Sequence, residues 1–179
     1  MNCRLFVGNE YPVKEPQRKY GDSGIDFFVP EFTGEFIMEF EKKNPMIKHT
    51  DEAIILEPGE DVLIPLGVHS LFDPEWELRM SNKSGVCTKQ KLIVGADVVD
   101  STYEGVIHAH LFNNGKETAI IPYGQKIVQG CLEGIDPRPI TVEKPRKDEE
   151  DPSNSYTLED FYKEHHSERG AGGFGSTGV

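Results

Sequence analysis

The sequence predicts an all-β domain, because short apolar runs separated by turn signals dominate the chain and helical signals are scarce. Residues 53–72, "AIILEPGEDVLIPLGVHSLF", contain two strand-length runs divided by Pro58 and Gly59. Further runs of the same kind lie at 76–80, 92–94, 105–112, 119–122 and 126–133. This length and spacing are typical of a β-sandwich or barrel rather than of a parallel α/β sheet.

One or two short helices are predicted within this β-rich chain. In "TLEDFYKEHH", residues 157–166, Thr157 is placed as an N-cap with Asp160 three residues later, and the apolar residues follow helical spacing. Residues 83–89, "KSGVCTK", are expected to form another turn or two. Neither segment is long enough to change the fold class.

The chain is predicted to divide into a β core at 1–137, a linker at 138–168 and a glycine-rich arm at 169–179. Proline and charged residues are concentrated in the linker, which is typical of a spacer. Within the core, residues 31–53 are interpreted as an insertion. Phe36, Met38 and Phe40 occupy alternate positions there, which predicts an additional β-hairpin.

The composition limits the function classes. The 179-residue chain has a formal net charge of -12, and a surface this acidic repels nucleic acid and anionic membranes. The three cysteines have neither the spacing of a zinc site nor the even number of a disulfide framework. No stretch resembles a membrane span or a signal peptide, so we expect a soluble, cytoplasmic protein.

Four stretches combine charged or polar side chains with glycine. They are "DSGID" at 22–26, "NKSG" at 82–85, "GADVVDSTYEG" at 95–105 and "GQKIVQGCL" at 124–132. The second offers donors to an anion, and the third offers a hairpin that could hold a carboxylate over a reacting centre. Taken alone, each stretch is also compatible with an ordinary turn, hairpin or core strand.

The arm, "RGAGGFGSTGV", is the most informative stretch. Its glycines, Ser176 and Thr177 resemble a loop that surrounds phosphates with backbone N–H and hydroxyl donors. Arg169 adds a bidentate phosphate donor, and Phe174 adds a flat face for a base. On composition alone, a disordered glycine tail is the simpler interpretation.

Taken together and in this order, five stretches resemble the five motifs of the trimeric dUTP diphosphatases, the dUTPases. They are "SGIDFF", "NKSGVCTKQKLIV", "GADVVDSTYEGVIHAHLFN", "GQKIVQG" and "RGAGGFGSTG". The resemblance implies a distorted β jelly roll that forms a homotrimer with active sites at subunit interfaces. It also implies hydrolysis of dUTP to dUMP and pyrophosphate, with Mg²⁺ bound to the triphosphate.

The resemblance assigns roles around the third motif. Asp100 corresponds to the catalytic carboxylate that orients and deprotonates the attacking water. Tyr103 corresponds to the ring that packs on deoxyribose and leaves no room for a 2′-hydroxyl. Asp97, Val98 and Val99 belong to the hairpin whose main chain corresponds to the reader of the uracil edge.

The other motifs imply contacts to the triphosphate. Lys83, Ser84, Gly85 and Gln129 fall at phosphate-contacting positions, and Asp26 corresponds to a carboxylate that acts near Mg²⁺ through water. In the family, the arm closes over a neighbouring subunit's site.

Within that arm, each residue has an implied contact. Arg169 would hold the terminal phosphate, Phe174 would cover the uracil, and Gly175, Ser176 and Thr177 would donate to the phosphates.

The sequence departs from the family at several positions. Lys83 stands where arginine is usual, which removes a bidentate fork. Asp97 stands where glycine is usual, and we expect its carboxylate to bear on base choice. Thr102 and Gln125 replace aspartates. A dual dCTP/dUTP pyrophosphatase or a dCTP deaminase on the same fold is therefore one alternative.

A second alternative is an interaction protein with the same fold. Residues 31–53 have an apolar face that no motif uses, which makes them the candidate docking element for a protein partner. An inserted element that only extends one edge of the sheet explains the same face more simply.

Overall fold

The computed structural model describes residues 3–163, and in this range the chain is built mainly from short antiparallel strands. The strands are β1 (Arg4–Val7), β2 (Gly24–Phe28), β3 (Lys48–His49), β4 (Ala53–Leu56), β5 (Asp61–Pro65), β6 (Val68–Leu71), β7 (Trp76–Asn82), β8 (Leu92–Val94), β9 (Val98–Val99), β10 (His108–Asn113), β11 (Ala119–Pro122) and β12 (Lys126–Gly134). The helices are α1 (Gly34–Lys43) and α2 (Leu158–Phe161), with a π-helical segment at Val86–Gln90 and a 3₁₀ turn at Pro152–Asn154. The all-β prediction is confirmed.

The strands form four small sheets in which every neighbouring pair is antiparallel. Their orders are β2-β12-β7-β9, β5-β10-β8, β11-β4-β3 and β1-β6. Strands far apart in sequence are neighbours in most of these pairs, such as β2 with β12 and β5 with β10, which is typical of folds with crossing connections rather than simple meanders. The predicted runs at 76–80, 92–94, 119–122 and 126–133 all coincide with observed strands.

Strand β12 lies inside the four-stranded sheet, and Gly130 is required at its centre. A Cβ atom at Gly130 would lie 2.9 Å from side-chain atoms of both Leu78 and Phe27. Both of these side chains are almost fully buried. Glycine therefore allows the two core side chains to approach the backbone of β12 from its neighbouring strands.

The segment at residues 31–53 folds around a helix, so the predicted hairpin is wrong. The Thr33 hydroxyl accepts a hydrogen bond from the Phe36 N–H and caps α1. Phe36 and Phe40 are four residues apart, lie on one face of α1 and are fully buried, whereas Met38 is 68% exposed. The three side chains are two residues apart, which indicates a strand, but the segment is a helix that buries two of them.

Asn44 joins the end of α1 to strand β5. Its amide donates to the Phe40 and Leu63 carbonyls at 2.8 and 2.9 Å, and its Oδ1 accepts from the Leu63 N–H at 2.8 Å. A buried amide with its donors and acceptor all paired avoids the cost of desolvation. The insertion is therefore part of the core, and the apolar face that raised the docking hypothesis is largely used inside the domain.

The two predicted short helical segments are observed. Thr157 caps α2, and its side chain and that of Asp160 form a reciprocal capping box. The prediction extended to residue 166, and residues 164–166 lie outside the described part of the chain. The segment after Lys83 forms the π-helical turn Val86–Gln90.

The chain groups into two compact units that divide between Pro137 and Arg138. The first unit contains all twelve strands and α1. In the second, Arg146 pairs with Tyr156 in an isolated β-bridge, and the Arg146 guanidinium lies 5.4 Å from the Tyr156 ring centroid. Over residues 3–163, none of the helices has the length and hydropathy needed to cross a membrane.

Truncation of Phe36 tests whether α1 is part of the core. Phe36→Ala removes a ring that contacts Tyr11, Phe32 and Phe40 at centroid distances of 5.4, 5.1 and 5.8 Å. We expect the free energy of unfolding to fall by about 3–5 kcal/mol in chemical denaturation. Met38→Ala on the exposed face is the matched control and should change it by less than about 0.5 kcal/mol. Equal effects of the two variants would contradict the observed packing.

Candidate active site

The four-stranded sheet brings residues from separate stretches of the chain together and also carries the strand that leads into Asp100. Strand β12 places Gln129 directly opposite Asp26 of β2 and Ser81 of β7. Lys83 follows the carboxyl end of β7, whereas β9 pairs antiparallel with Leu78 and Arg79, so that Asp100 continues toward the opposite end of β7. Pairing of these strands thus assembles residues that are widely separated in sequence.

Asp26 lies at the centre of a charged cluster. Its Oδ1 binds the Lys83 ammonium, and its Oδ2 lies 2.9 Å from Lys126 Nζ. Partial burial acts to raise the pKa of Asp26, but hydrogen bonds and charges from the two lysines outweigh burial and lower that pKa below its usual value. Asp26 is therefore ionised at neutral pH, and Lys83 is bound to a carboxylate.

A polar cleft of about 570 Å³ opens beside this cluster. Its lining residues are Pro16, Gln17, Arg18, Lys19, Asp22, Asp26 and Lys126. Cations from two separate segments therefore surround Asp26, in a chain whose net charge is strongly negative. Lys126 and Arg18 were missed in the sequence analysis, although Lys126 stands within the fourth motif.

Ser84 and Gly85 lie at the start of the helical turn that follows Lys83. Both residues are exposed, and a Cβ at Gly85 would meet no atom within 4 Å. Gly85 also has an ordinary helical backbone, with φ at -65°. The fold itself does not require glycine here, whereas close approach of a ligand to the backbone would.

A cavity of about 180 Å³ lies against the hairpin at residues 95–105. Its lining residues are Leu63, Met80, Ala96, Val98, Val99, Asp100, Tyr103, Ile107, His108 and His110. The structure therefore brings together Val98, Val99, Asp100 and Tyr103 of the predicted site. A small apolar cavity with one exposed carboxylate at its wall suits a planar ring and a group to be polarised beside it.

Backbone hydrogen bonds and one glycine shape this hairpin. Met80 N–H donates to the Asp97 carbonyl at 2.6 Å, and Tyr103 N–H donates to the Asp100 carbonyl at 3.1 Å. The Tyr103 hydroxyl donates to the Val106 carbonyl at 3.0 Å. A Cβ at Gly105 would lie 2.4 Å from that hydroxyl, so glycine allows the Tyr103 ring to fold back over the turn.

The Asp97 carboxylate is bound by Arg79 and is not among the groups that line the cavity. Arg79 Nη1 donates to Asp97 Oδ2 at 2.8 Å, and the same guanidinium contacts Glu133 at 3.0 Å and Glu77. Asp97 also has an ordinary negative φ, because Lys91 is the only non-glycine residue with positive φ in the described range 3–163. The expected influence of its carboxylate on base choice therefore has no support in the geometry.

Two histidines on β10 were missed in the sequence analysis. His108 and His110 alternate along the strand, which places both on one face, and both line the cavity. Burial lowers the pKa of His108. Its Nδ1 donates to the Val106 carbonyl at 2.7 Å, and its buried Nε2 has no hydrogen-bond partner among the described residues.

Part of the predicted site lies outside the described residues. Arg169, Phe174, Gly175, Ser176 and Thr177 lie beyond residue 163, outside the described part of the chain. Within residues 3–163, no group of three or more acidic, histidine or cysteine side chains could hold a metal ion by itself. A lone carboxylate such as Asp26 suits Mg²⁺ that keeps its waters and binds mainly to a substrate's phosphates.

Comparison with known proteins agrees with this arrangement. The dUTPase family model matches residues 49–178. A deoxyuridine 5′-triphosphate nucleotidohydrolase of Bartonella bacilliformis is 32% identical over 130 residues, which cover 72% of this chain and 71% of that protein. The corresponding protein of Caulobacter vibrioides is 31% identical over 131 residues, covering 72% and 73%.

Solved structures show the same fold. The dUTPase of Staphylococcus bacteriophage 80alpha, solved with dUpNHpp, has a TM-score of 0.60 and 19% identity, and the match covers 99% of each chain. The EIAV dUTPase has a TM-score of 0.58 over 80% of this chain and 97% of its own. On the family match and the identity to these relatives, the chain belongs to the dUTPase family.

Proposed function

We propose that the protein hydrolyses dUTP to dUMP and pyrophosphate, and that it thereby supplies dUMP and removes dUTP from the nucleotide pool. The observation that carries the proposal is the cavity beside the hairpin, where Val98, Val99, Asp100 and Tyr103 meet. Its relatives are named as deoxyuridine triphosphate nucleotidohydrolases, and the bacteriophage structure contains dUpNHpp.

Asp100 is assigned to the attacking water. It lies at the end of β9 and at the wall of the cavity, where a water on the α-phosphate can reach its carboxylate. A carboxylate is a weak base at neutral pH, so alignment of the water and stabilisation of charge contribute most of the acceleration. The proton of the water passes to Asp100, and pyrophosphate leaves from the α-phosphorus.

The cationic cleft beside Asp26 is assigned to the triphosphate. Lys126 lines the cleft, and Lys83 binds the other oxygen of the same Asp26 carboxylate, so the two ammonium groups balance the charge of Asp26 beside the cleft. Ser84, Gly85 and Gln129 border the same sheet end and complete the phosphate contacts. Mg²⁺ bound to the triphosphate would supply positive charge to the phosphate oxygens, and Asp26 would hold the ion through water.

A homotrimer with sites at subunit interfaces is part of the proposal. The family resemblance implies that the arm closes over a neighbouring subunit, and a linker at 138–168 has the length to make such an exchange. A protein partner at residues 31–53 stays a prediction. The burial of Phe36 and Phe40 leaves it fewer apolar side chains to use than the sequence indicated.

A substrate panel tests the reaction. Pyrophosphate release should be fastest with dUTP and at least about tenfold slower with dCTP, dTTP or UTP, because backbone groups that hydrogen-bond uracil would be left unpaired by cytosine, and the small cavity and Tyr103 leave little room for an added methyl or hydroxyl. Release of ammonia from dCTP would instead indicate the deaminase, and comparable rates with dCTP and dUTP would indicate the dual enzyme. Absence of pyrophosphate release from dUTP would refute the proposal.

Asp100→Asn tests the assignment of the base. We expect kcat for dUTP to fall by about 10²–10⁴-fold, because the amide cannot accept the proton from water. The Kd of a non-hydrolysable dUTP analogue should stay close to that of the parent. Asp51→Asn, on an exposed turn before β4, is the matched control. Turnover at the parent rate in Asp100→Asn would exclude this role.

A further inference from the structure

We propose that His110, oriented by Asp61, is a positioning residue that holds the start of the hairpin in the conformation that receives the base. The inference rests on the proposed function, because it assigns the base to the cavity beside this hairpin. It concerns a side chain that none of the five motifs gives a role in the reaction. Neither His110 nor Asp61 was expected to contribute.

Two hydrogen bonds define the state of the His110 ring. Ala96 N–H donates to His110 Nδ1 at 3.0 Å, so Nδ1 is unprotonated. The proton of the neutral ring therefore lies on Nε2, which is 3.0 Å from Asp61 Oδ2. A carboxylate only accepts hydrogen bonds when ionised, and Asp61 thus selects the tautomer in which Nδ1 can accept from Ala96.

Close packing supports the same contact. A Cβ at Gly95 would lie 2.5 Å from His110 Nδ1 and 2.5 Å from the Phe112 ring, so glycine admits both rings against the hairpin. Gly95 N–H also donates to the His110 carbonyl at 2.9 Å. The backbone and the side chain of His110 therefore hold consecutive residues, Gly95 and Ala96.

The residues that His110 holds, Gly95 and Ala96, lie where we propose that the base binds. Ala96 lines the cavity, and the next residue, Asp97, is held by Arg79 through its carboxylate and by Met80 through its carbonyl. His110 therefore supplies the restraint on one side of the turn and Arg79 the restraint on the other. A binding surface made of backbone groups has a higher affinity when it is already ordered in the free protein. Binding then costs less conformational entropy.

Variants of His110 separate a positioning role from a general effect on folding. His110→Leu removes the acceptor and should raise the Kd of a non-hydrolysable dUTP analogue by about tenfold, as expected for a lost hydrogen bond. The Kd of inorganic tripolyphosphate should not change, and KM for dUTP should change more than kcat. His110→Asn is the conservative rescue, because Asn Oδ1 occupies nearly the position of Nδ1 and should restore the analogue's Kd to within about threefold of the parent.

Two further variants test specificity. Asp61→Ala should weaken analogue binding while His110 is intact, because the ring loses the group that orients it. His49→Leu is the matched control, since His49 Nε2 lies 3.0 Å from Glu41 Oε1 in a second histidine–carboxylate pair within the insertion. It should bind the analogue like the parent.

The outcomes distinguish this inference from the proposed function. Turnover of dUTP by the parent is measured first, and its absence counts against the function alone. Amide exchange of Ala96 in the parent and in His110→Leu then tests the contact without a substrate, and faster exchange in the variant is expected. The proposal would be overturned if His110→Leu left either the exchange of Ala96 or the Kd of the analogue unchanged. It would also be overturned if His110→Asn bound the analogue as weakly as His110→Leu while both variants had the same unfolding midpoint.

Discussion

The pairing of β12 on both of its edges is the constraint on which the site depends. Gln129 lies opposite Asp26 on one side and Ser81 on the other, and β7 carries the hairpin strand β9 on its far edge. A slip of one residue in this pairing would turn Gln129 to the other face of the sheet. Gly130 protects the register, because Leu78 and Phe27 fill the space that any side chain there would need. The charged cluster around Asp26 and the strand that leads into the hairpin thus belong to one sheet whose register β12 and β7 set together.

Strands β7, β8, β11 and β12 were predictable because their apolar runs lie near proline, glycine or polar turn residues, whereas the run at 105–112 is a strand only from His108 onward. The insertion was not predictable in the same way. Phe36, Met38 and Phe40 are two residues apart, which is the period of a strand. The burial of Phe36 and Phe40 in one core depends on tertiary packing, which the local sequence does not reveal. Thr33 as an N-cap and the lysines in the last turn of α1 were the available helical signals.

Four residues of the third motif were predicted to share a site, whereas residues that act through a partner on another strand were not predicted. Val98, Val99, Asp100 and Tyr103 do line one cavity. Arg79 and Asp61 could not be inferred, because their importance comes from the partners they meet across the sheets. Asp97 is a further example, because its carboxylate was predicted to bear on base choice and is instead bound by Arg79. The alternation of His108 and His110 after the hairpin was the available sequence signal, because it predicts two histidines on one face of a strand. Both side chains line the cavity.

The central claim is that backbone groups of the hairpin receive the base, and amide hydrogen exchange with dUMP tests it most directly. We expect saturating dUMP to slow exchange within residues 96–100 and inorganic tripolyphosphate at saturation to leave that stretch unchanged. A protein that hydrolyses dUTP but shows no dUMP-dependent protection in residues 96–100 would contradict the account.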